Sequence, residues 1–516
     1  MPFCRENAQL AIFKSKQAMR ECIHASQSMR CVLAVWAAIT LASCGGGGGD
    51  AAAPPSQSLQ ASHGPARIEP YERVITLAVR KSAAAPAQGG LMPSLAIELG
   101  SPPGEFTPTK ASPTPADGGI ARQIGAPRAV SALATPEDAA RALVWQVTAA
   151  GGLATAARLR SDGAVGLRLG LEVRRLPSSA QVRVRPSGSV TVDADTVSGQ
   201  EILDALARNR AAGDTRRAAY TYWMPAVAGD SITLEIELPP GVDAAQVEVA
   251  VPQLSHLWWT HAAVAAAPAL KLGGAGACNA DATCSPAYDF EARSIARMEY
   301  VRDGGAYLCT GTLMADVAAS GTPYFLGANH CVGDQTIAST LSTYWFYRAA
   351  TCNSNTLDPA ATRVNGGATL LYASSVTDTA FMVLRGSPPA GTVHAGSLLQ
   401  PVAVGTALTG LHHPLGDLLK LSLGSTPSYA RCEDTRCTSD GVDSSNFLTL
   451  RWSSGTTESG SSGSPVFASL GSRRYVVGQL FAGAASCTRP DGNDFYGRFD
   501  RAYAALRTWL GSPPTD

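Results

Sequence analysis

Apolar and polar side chains alternate along Ile232-Thr233-Leu234-Glu235-Ile236-Glu237-Leu238, as they do on a strand with one face buried. Gln246-Val247-Glu248-Val249-Ala250-Val251 and Val182-Arg183-Val184-Arg185 repeat that pattern less cleanly. A helix is expected near Pro136 to Thr148, and Pro240-Gly241 marks a turn. Residues 118–261 therefore predict an antiparallel β-sandwich-like domain. Val32 to Ala42 is a different signal, an 11-residue apolar run preceded by Arg30. It is too short to span a bilayer and has the charge order of a secretory signal. Residues 45–117, rich in Gly, Pro, Ala and Ser, are expected to be a flexible tether and lead-in.

Composition narrows the class. The chain has 516 residues, of which 51 are Gly and 33 Pro, and this turn-rich content favours short strands over long helices. At about 100 to 200 residues per domain, two or three domains are expected. Basic and acidic residues balance at 41 each, so no excess cation is present to neutralise phosphates and a nucleic-acid partner is excluded. Lysine is scarce. Only Lys420 lies beyond residue 271, and coding bias suffices to explain the count.

Cysteine usage divides the chain. None occurs between Gly45 and Lys271, whereas Cys278, Cys284, Cys309, Cys331, Cys352, Cys432, Cys437 and Cys487 all follow. An even number in an exported chain reads as a disulfide framework whose connectivity spacing alone leaves open. No CxxC pair is present, which argues against a zinc ribbon. The boundary falls in an Ala/Gly/Pro-rich linker at 262–271, ahead of a second domain at 272–516. His256 and His261 flank Leu257-Trp258-Trp259, a patch suited to packing or an interface.

That second domain carries the chemistry. Gly327-Ala328-Asn329-His330-Cys331, Thr377-Asp378-Thr379 and Gly460-Ser461-Ser462-Gly463-Ser464-Pro465 supply a base, an acid and a nucleophile in the order His, Asp, Ser. A serine hydroxyl needs a neighbouring imidazole to take its proton and a carboxylate to fix that imidazole's tautomer. An α/β-hydrolase is the first rival, because residues 460–464 resemble its nucleophile elbow. That fold places its histidine after the nucleophile, and all eight histidines here precede Ser462. A metallopeptidase lacks its HExxH helix, and the His412-His413-Pro414 pair reads as structural. A silent protease-fold binding module is the remaining alternative, although such relatives usually lose a triad residue. No cofactor or metal is expected.

Several further stretches carry a resemblance. Cys278 to Cys284 is a Cys-x5-Cys, Cys309-Thr310-Gly311-Thr312-Leu313 precedes the histidine, and Gly478-Gln479-Leu480 with Asn493-Asp494-Phe495-Tyr496-Gly497-Arg498 follows the nucleophile. The domain resembles trypsin-like (chymotrypsin-fold) serine endopeptidases, above all the bacterial lysyl endopeptidases. The upstream β-rich region is more weakly similar to that family's pro-region. The resemblance implies a mainly β protein, with a C-terminal double β-barrel behind the sandwich-like domain. It implies catalytic His330, Asp378 and Ser462, an oxyanion hole of Gly460 and Ser462, and Asp494 binding a basic P1 side chain. It implies disulfides Cys278–Cys487, Cys284–Cys352 and Cys309–Cys331, leaving Cys432–Cys437 to close a short loop. Two departures put strict lysine preference in question: Phe481 stands where the family has histidine, and no pocket-side tryptophan is found near Cys432 to Cys437. Residue 461 is Ser, so trypsin's activation by a new amino terminus pairing with Asp there is not expected, and Lys271 is a candidate autoprocessing site.

Leu41-Ala42-Ser43-Cys44 similarly resembles the lipobox of bacterial lipoproteins, which implies lipidation of Cys44 and export to the cell envelope, the alternative being simple secretion. Membrane contact would then run only through the lipid anchor. The partners expected are protein or peptide substrates, and the protein is expected to be a monomer.

Overall fold

The alternating segment at 231–238 becomes the centre of a mixed sheet in the computed structural model, which describes residues 66–73, 92–102, 121–187, 194–260, 274–433 and 436–513. Strand Ser231–Leu238 pairs antiparallel with Leu153–Arg160 on one side and Gln181–Pro186 on the other. Its apolar residues enter a core shared with Leu167, Leu169 and Leu171 of strand Gly166–Arg175. Its polar face is covered as well. Glu235 and Glu237 pair with Arg185 and Arg183 across the strand, both at 2.5 Å, the first pair buried more deeply than the second. Gly166–Arg175 belongs to a second sheet with Glu248–Leu257 and Arg122–Ala129, so the region is sandwich-like. Helix Gly199–Ala211, started by a Ser198/Glu201 capping box, adds Ile202 and Leu206 to the same core.

Two expectations are corrected here. The helix from Pro136 ends at Ala142, and Gln146–Val147 is a strand, because Leu143 is already extended and Gly151-Gly152 turns the chain into Leu153–Arg160. The supposed tether at 45–117 is not uniformly a linker. Arg67–Ile68, Tyr71–Glu72 and Leu95–Glu98 are all strands, the last parallel to Leu153–Arg160. Alternation over two to four residues is too short to be read against Pro- and Ala-rich flanks. Cys44, the apolar run before it and Lys271 lie outside the described residues. Among the described residues no helix is long and apolar enough to cross a membrane.

From residue 274 the chain builds two antiparallel β units. In the first, strands run in the order Ser342–Trp345, Ile295–Arg302, Gly305–Met314, Tyr324–Ala328, Thr379–Leu384, Ala368–Ser374. All six send side chains into one core, including Trp345, Met298, Cys309, Phe325, Met382 and Ala368. In the second, Ala407–His412, Lys420–Glu433, Phe447–Ser454, Asn493–Arg498, Arg473–Gly483 and Pro465–Leu470 pair in a ring that closes on itself. This is the double-barrel, mainly β architecture expected. A third core, with Phe381, Phe467, Val476 and residues of helix Phe499–Leu510, joins the two.

The sandwich-like region is continuous with the first barrel. Strand Gly305–Met314 pairs with Tyr324–Ala328 only at residues 312–314, and Arg122–Ala129 takes its free edge at residues 306–308. Among the described residues four disulfides are formed: Cys278–Cys487, Cys284–Cys352 and Cys309–Cys331, the three that the resemblance implies, and Cys432–Cys437, the leftover pair, which closes its own short loop.

Candidate active site

A strand register puts His330 beside Asp378. Tyr324–Ala328 and Thr379–Leu384 run antiparallel with Ala328 opposite Thr379, so the residue just before one strand faces those just after the other. The Asn329 and His330 amides donate to the Asp378 carbonyl and Oδ1, each at 2.9 Å, and Asp378 Oδ2 lies 2.7 Å from His330 Nδ1. A carboxylate there holds the proton on Nδ1 and leaves Nε2 as the basic nitrogen. Asp378 is 2% exposed and has φ of +49°, a left-handed conformation that Asp tolerates better than most residues.

That conformation is held from behind. The Gln479 side-chain amide donates to the carbonyl of Thr377 at 2.7 Å, with Thr379 Oγ1 at 3.1 Å. Gly497 makes room, since a Cβ there would lie 1.9 Å from the Thr377 carbonyl oxygen and 2.4 Å from Gln479 Nε2.

Ser462 enters the same corner on a turn that only glycines allow. Gly460 and Gly463 have φ of +95° and +79°, and a Cβ on Gly463 would meet Thr310 O at 2.6 Å and Ala328 N at 2.9 Å. The turn is pinned to Thr310, whose amide donates to Ser462 O and whose hydroxyl donates to Gly460 O, both at 2.9 Å. Thr310 follows Cys309, which is bonded to Cys331, the neighbour of His330. One disulfide therefore ties the serine's dock to the histidine's loop. Cys309, His330 and Cys331 cluster within 4.8 Å, but with both sulfurs bonded to each other they offer a cation no thiolate.

The histidine pair is structural, as expected. His412 lies between the hydroxyls of Ser461 at 2.8 Å and Ser422 at 2.9 Å, and His413 Nδ1 meets the Asp417 carbonyl at 2.9 Å. Burial depresses both imidazoles to about 3, so each stays neutral. Ser461 thus engages a neutral histidine at the place where trypsin-like activation would need a carboxylate.

Asp494 is buried on strand Asn493–Arg498. Its Oδ2 accepts from the Trp452 indole at 2.6 Å and the Thr457 hydroxyl at 2.7 Å, and its Oδ1 accepts from the Ala485 amide at 3.3 Å. Burial raises its carboxyl to about 6 against these three donors. A Cβ on Gly483 would sit 1.7 Å from Oδ1, so the chain passes over the carboxylate only as glycine. No local pattern points to Trp452 or Thr457: strand register brings Trp452 here, and the non-strand segment after Phe447–Ser454 brings Thr457. Phe481, where the family pattern has histidine, stands edge-on to His330 with ring centroids 6.2 Å apart. Of the other acids near Ser462 in the chain, Glu458 accepts from Gly276 N at 2.9 Å and Asn279 Nδ2 at 2.8 Å, and Asp491 is exposed.

The upstream region reaches this site. Ala121 belongs to the same buried cluster as Cys309, Ala328 and Cys331, and a Cβ on Gly460 would lie 3.4 Å from the Cβ of Arg122. Ser462 is 1% exposed in the intact chain.

The chain is similar to known proteins over both of these regions. The family model described as the lysyl endopeptidase C-terminal domain matches residues 272–497, and that of the lysyl endopeptidase N-terminal domain matches residues 99–258. The chain belongs to the lysyl endopeptidase family. Membership makes it a protease by homology. It is 29% identical over 391 residues to the lysyl endopeptidase of Pseudomonas aeruginosa, covering 73% of this chain and 79% of that protein. Among solved structures, the active form of the Rv3671c protease from M. tuberculosis overlays with a TM-score of 0.31 at 16% identity, over 46% of this chain and 89% of that one. Its inactive form gives 0.29 at 14%, over 45% and 98%. Those scores carry no argument about this family member, whose fold rests on its own strand pairings.

Proposed function

We propose that the chain is a serine endopeptidase that cleaves peptide bonds after basic residues, lysine before arginine. Ser462 Oγ attacks the scissile carbonyl while His330 Nε2 takes its proton. His330 then gives that proton to the leaving amine, and a water activated the same way releases the acyl group. Asp378 keeps the imidazole in the required tautomer. The amides of Gly460 and Ser462 stabilise the oxyanion, where one donor is typically worth about 3 to 4 kcal/mol of barrier. Asp494 receives the cationic P1 side chain. The observation that carries this reading is the two-point hold of Asp378 on His330, through Nδ1 and the backbone amide.

Export, lipidation of Cys44 and removal of the upstream region at Lys271 belong to the same proposal, as does a division into domains at 118–261 and 272–516. Digestion of a denatured protein mixture with peptide mapping tests the specificity. Cleavage after Lys and Arg supports it, and cleavage without a basic P1 preference removes Asp494 from its role.

A further inference from the structure

Residues 66–73 form a strap on the protease domain, away from the sandwich-like region that follows them in the chain. Arg67 and Ile68 pair with Leu398 and Ser397, and Tyr71 and Glu72 pair with His394 and Val393. Leu399 N donates to Ala66 O at 3.0 Å. Ile68 is 2% exposed, in the core that joins the barrels. Tyr71 stacks on His394 at 4.6 Å, and its hydroxyl accepts from Gly321 N at 3.0 Å. Glu69 accepts from the Tyr475 hydroxyl at 2.8 Å and faces Arg473 at 3.2 Å, while Glu72 pairs with Arg293 at 2.9 Å. Outside the strap itself, each of these partners lies between residues 293 and 475.

The receiving surface is built to hold an extended peptide. Residues 393–398 lie between the last strand of the first barrel and the first strand of the second, and they are anchored to both. Ala395 N donates to Leu313 O, and Val476 N donates to Gly396 O, each at 2.8 Å. Their remaining edge pairs with the strap. Gly396 lets the strap lie flat, since a Cβ there would meet Ile68 O at 2.5 Å and the Pro70 ring at 2.7 Å. Strand pairing, an apolar anchor, an aromatic stack and a carboxylate on its donors together make a sequence-selective peptide site.

We propose that Val393–Leu398, with Gly321, Arg473 and Tyr475, is a peptide-binding exosite. Its occupant is the chain's own Ala66–Arg73, which remains bound when the chain beyond it is cut. Proteolytic processing between the strap and the protease domain then yields a noncovalent pair and not a free enzyme. The inference does not depend on Ser462 being the nucleophile. Residues 45–271 contain no cysteine, so no disulfide joins the strap to the rest.

The test uses residues 45–516 carrying Ser462→Ala, with a recognition sequence for an unrelated site-specific protease inserted after Ser82. After that cut, native mass spectrometry and size exclusion should find the fragment ending at residue 82 still on the remainder. Gly396→Ala, placed outside the candidate catalytic residues, should weaken its retention at least about tenfold, and Tyr71→Ala should do so from the strap's side. A fragment that separates at once from the otherwise unsubstituted protein overturns the proposal. Retention unchanged in both variants overturns it as well.

Discussion

The indole N–H of Trp452 donates to the carboxylate of Asp494 at 2.6 Å, deep in the second barrel. With Thr457 and Ala485 it forms a three-donor seat for a carboxylate that burial nevertheless raises to about 6. A raised acid loses its charge on the acidic side of that value, and a cationic P1 side chain needs the charge. The ratio of kcat/KM for a lysyl over a leucyl substrate should therefore fall as pH drops through about 6. Taking the ratio cancels the titration of the catalytic base, and kcat/KM reads the free enzyme. Asp494→Asn should remove that dependence and lower lysyl kcat/KM by about 10- to 100-fold, as expected for a charged hydrogen bond of about 1.5 to 3 kcal/mol. A ratio independent of pH between 5 and 8 in the unsubstituted enzyme would count against the assignment.

Gln479 is expected to act through Asp378. Its amide steadies the Thr377 carbonyl next to a residue held at φ of +49°. Gln479→Leu keeps bulk but removes the donor. Leaving that buried carbonyl unpaired costs about 1 to 3 kcal/mol. If the loss is felt in the alignment of His330, kcat should fall about 10- to 100-fold with KM little changed. A purely structural role would instead lower the unfolding midpoint and leave kcat per folded molecule intact.

His412 and His413 set a prediction about acid. Both have folded-state values near 3 against about 6.5 for an unfolded histidine. Their contribution is present above 6.5 and is lost as pH falls from 6.5 toward 3, because the unfolded chain binds protons that the folded one refuses. The urea midpoint should drop over that window. In His412→Gln the drop should be shallower by up to one proton, since one refusing imidazole is gone. Identical slopes in the two proteins would contradict this.

The parts of the site legible in the sequence are those written in short stretches. His330, Asp378 and Ser462 each sit in a local motif, and Gly460 announces a turn that its φ of +95° bears out. Three of the cystines follow from family resemblance, and Cys432–Cys437 is the pair left over. What escapes is set by register between distant strands. Trp452 reaches Asp494 because Leu450 stands opposite Asp494 across the sheet, a relationship no local pattern encodes. Arg122–Ala129 joins the first barrel because Tyr324–Ala328 leaves an edge unpaired, and nothing near residue 122 says so. The strap is hidden for another reason. Two two-residue strands separated by Glu69-Pro70 are shorter than any period, and only the waiting edge at 393–398 makes them strands.

The central claim is that Ser462 is a nucleophile activated by His330 and Asp378, and covalent labelling reaches it most directly. Protein spanning residues 45–516, produced in an oxidising compartment and allowed to process, is treated with a fluorophosphonate and mapped by mass spectrometry. One label per molecule is predicted on Ser462, none in Ser462→Ala, and a rate at least about 1000-fold lower in His330→Ala, where no base takes the proton. Correctly oxidised, processed protein that leaves Ser462 unlabelled while still cleaving peptides would contradict the account.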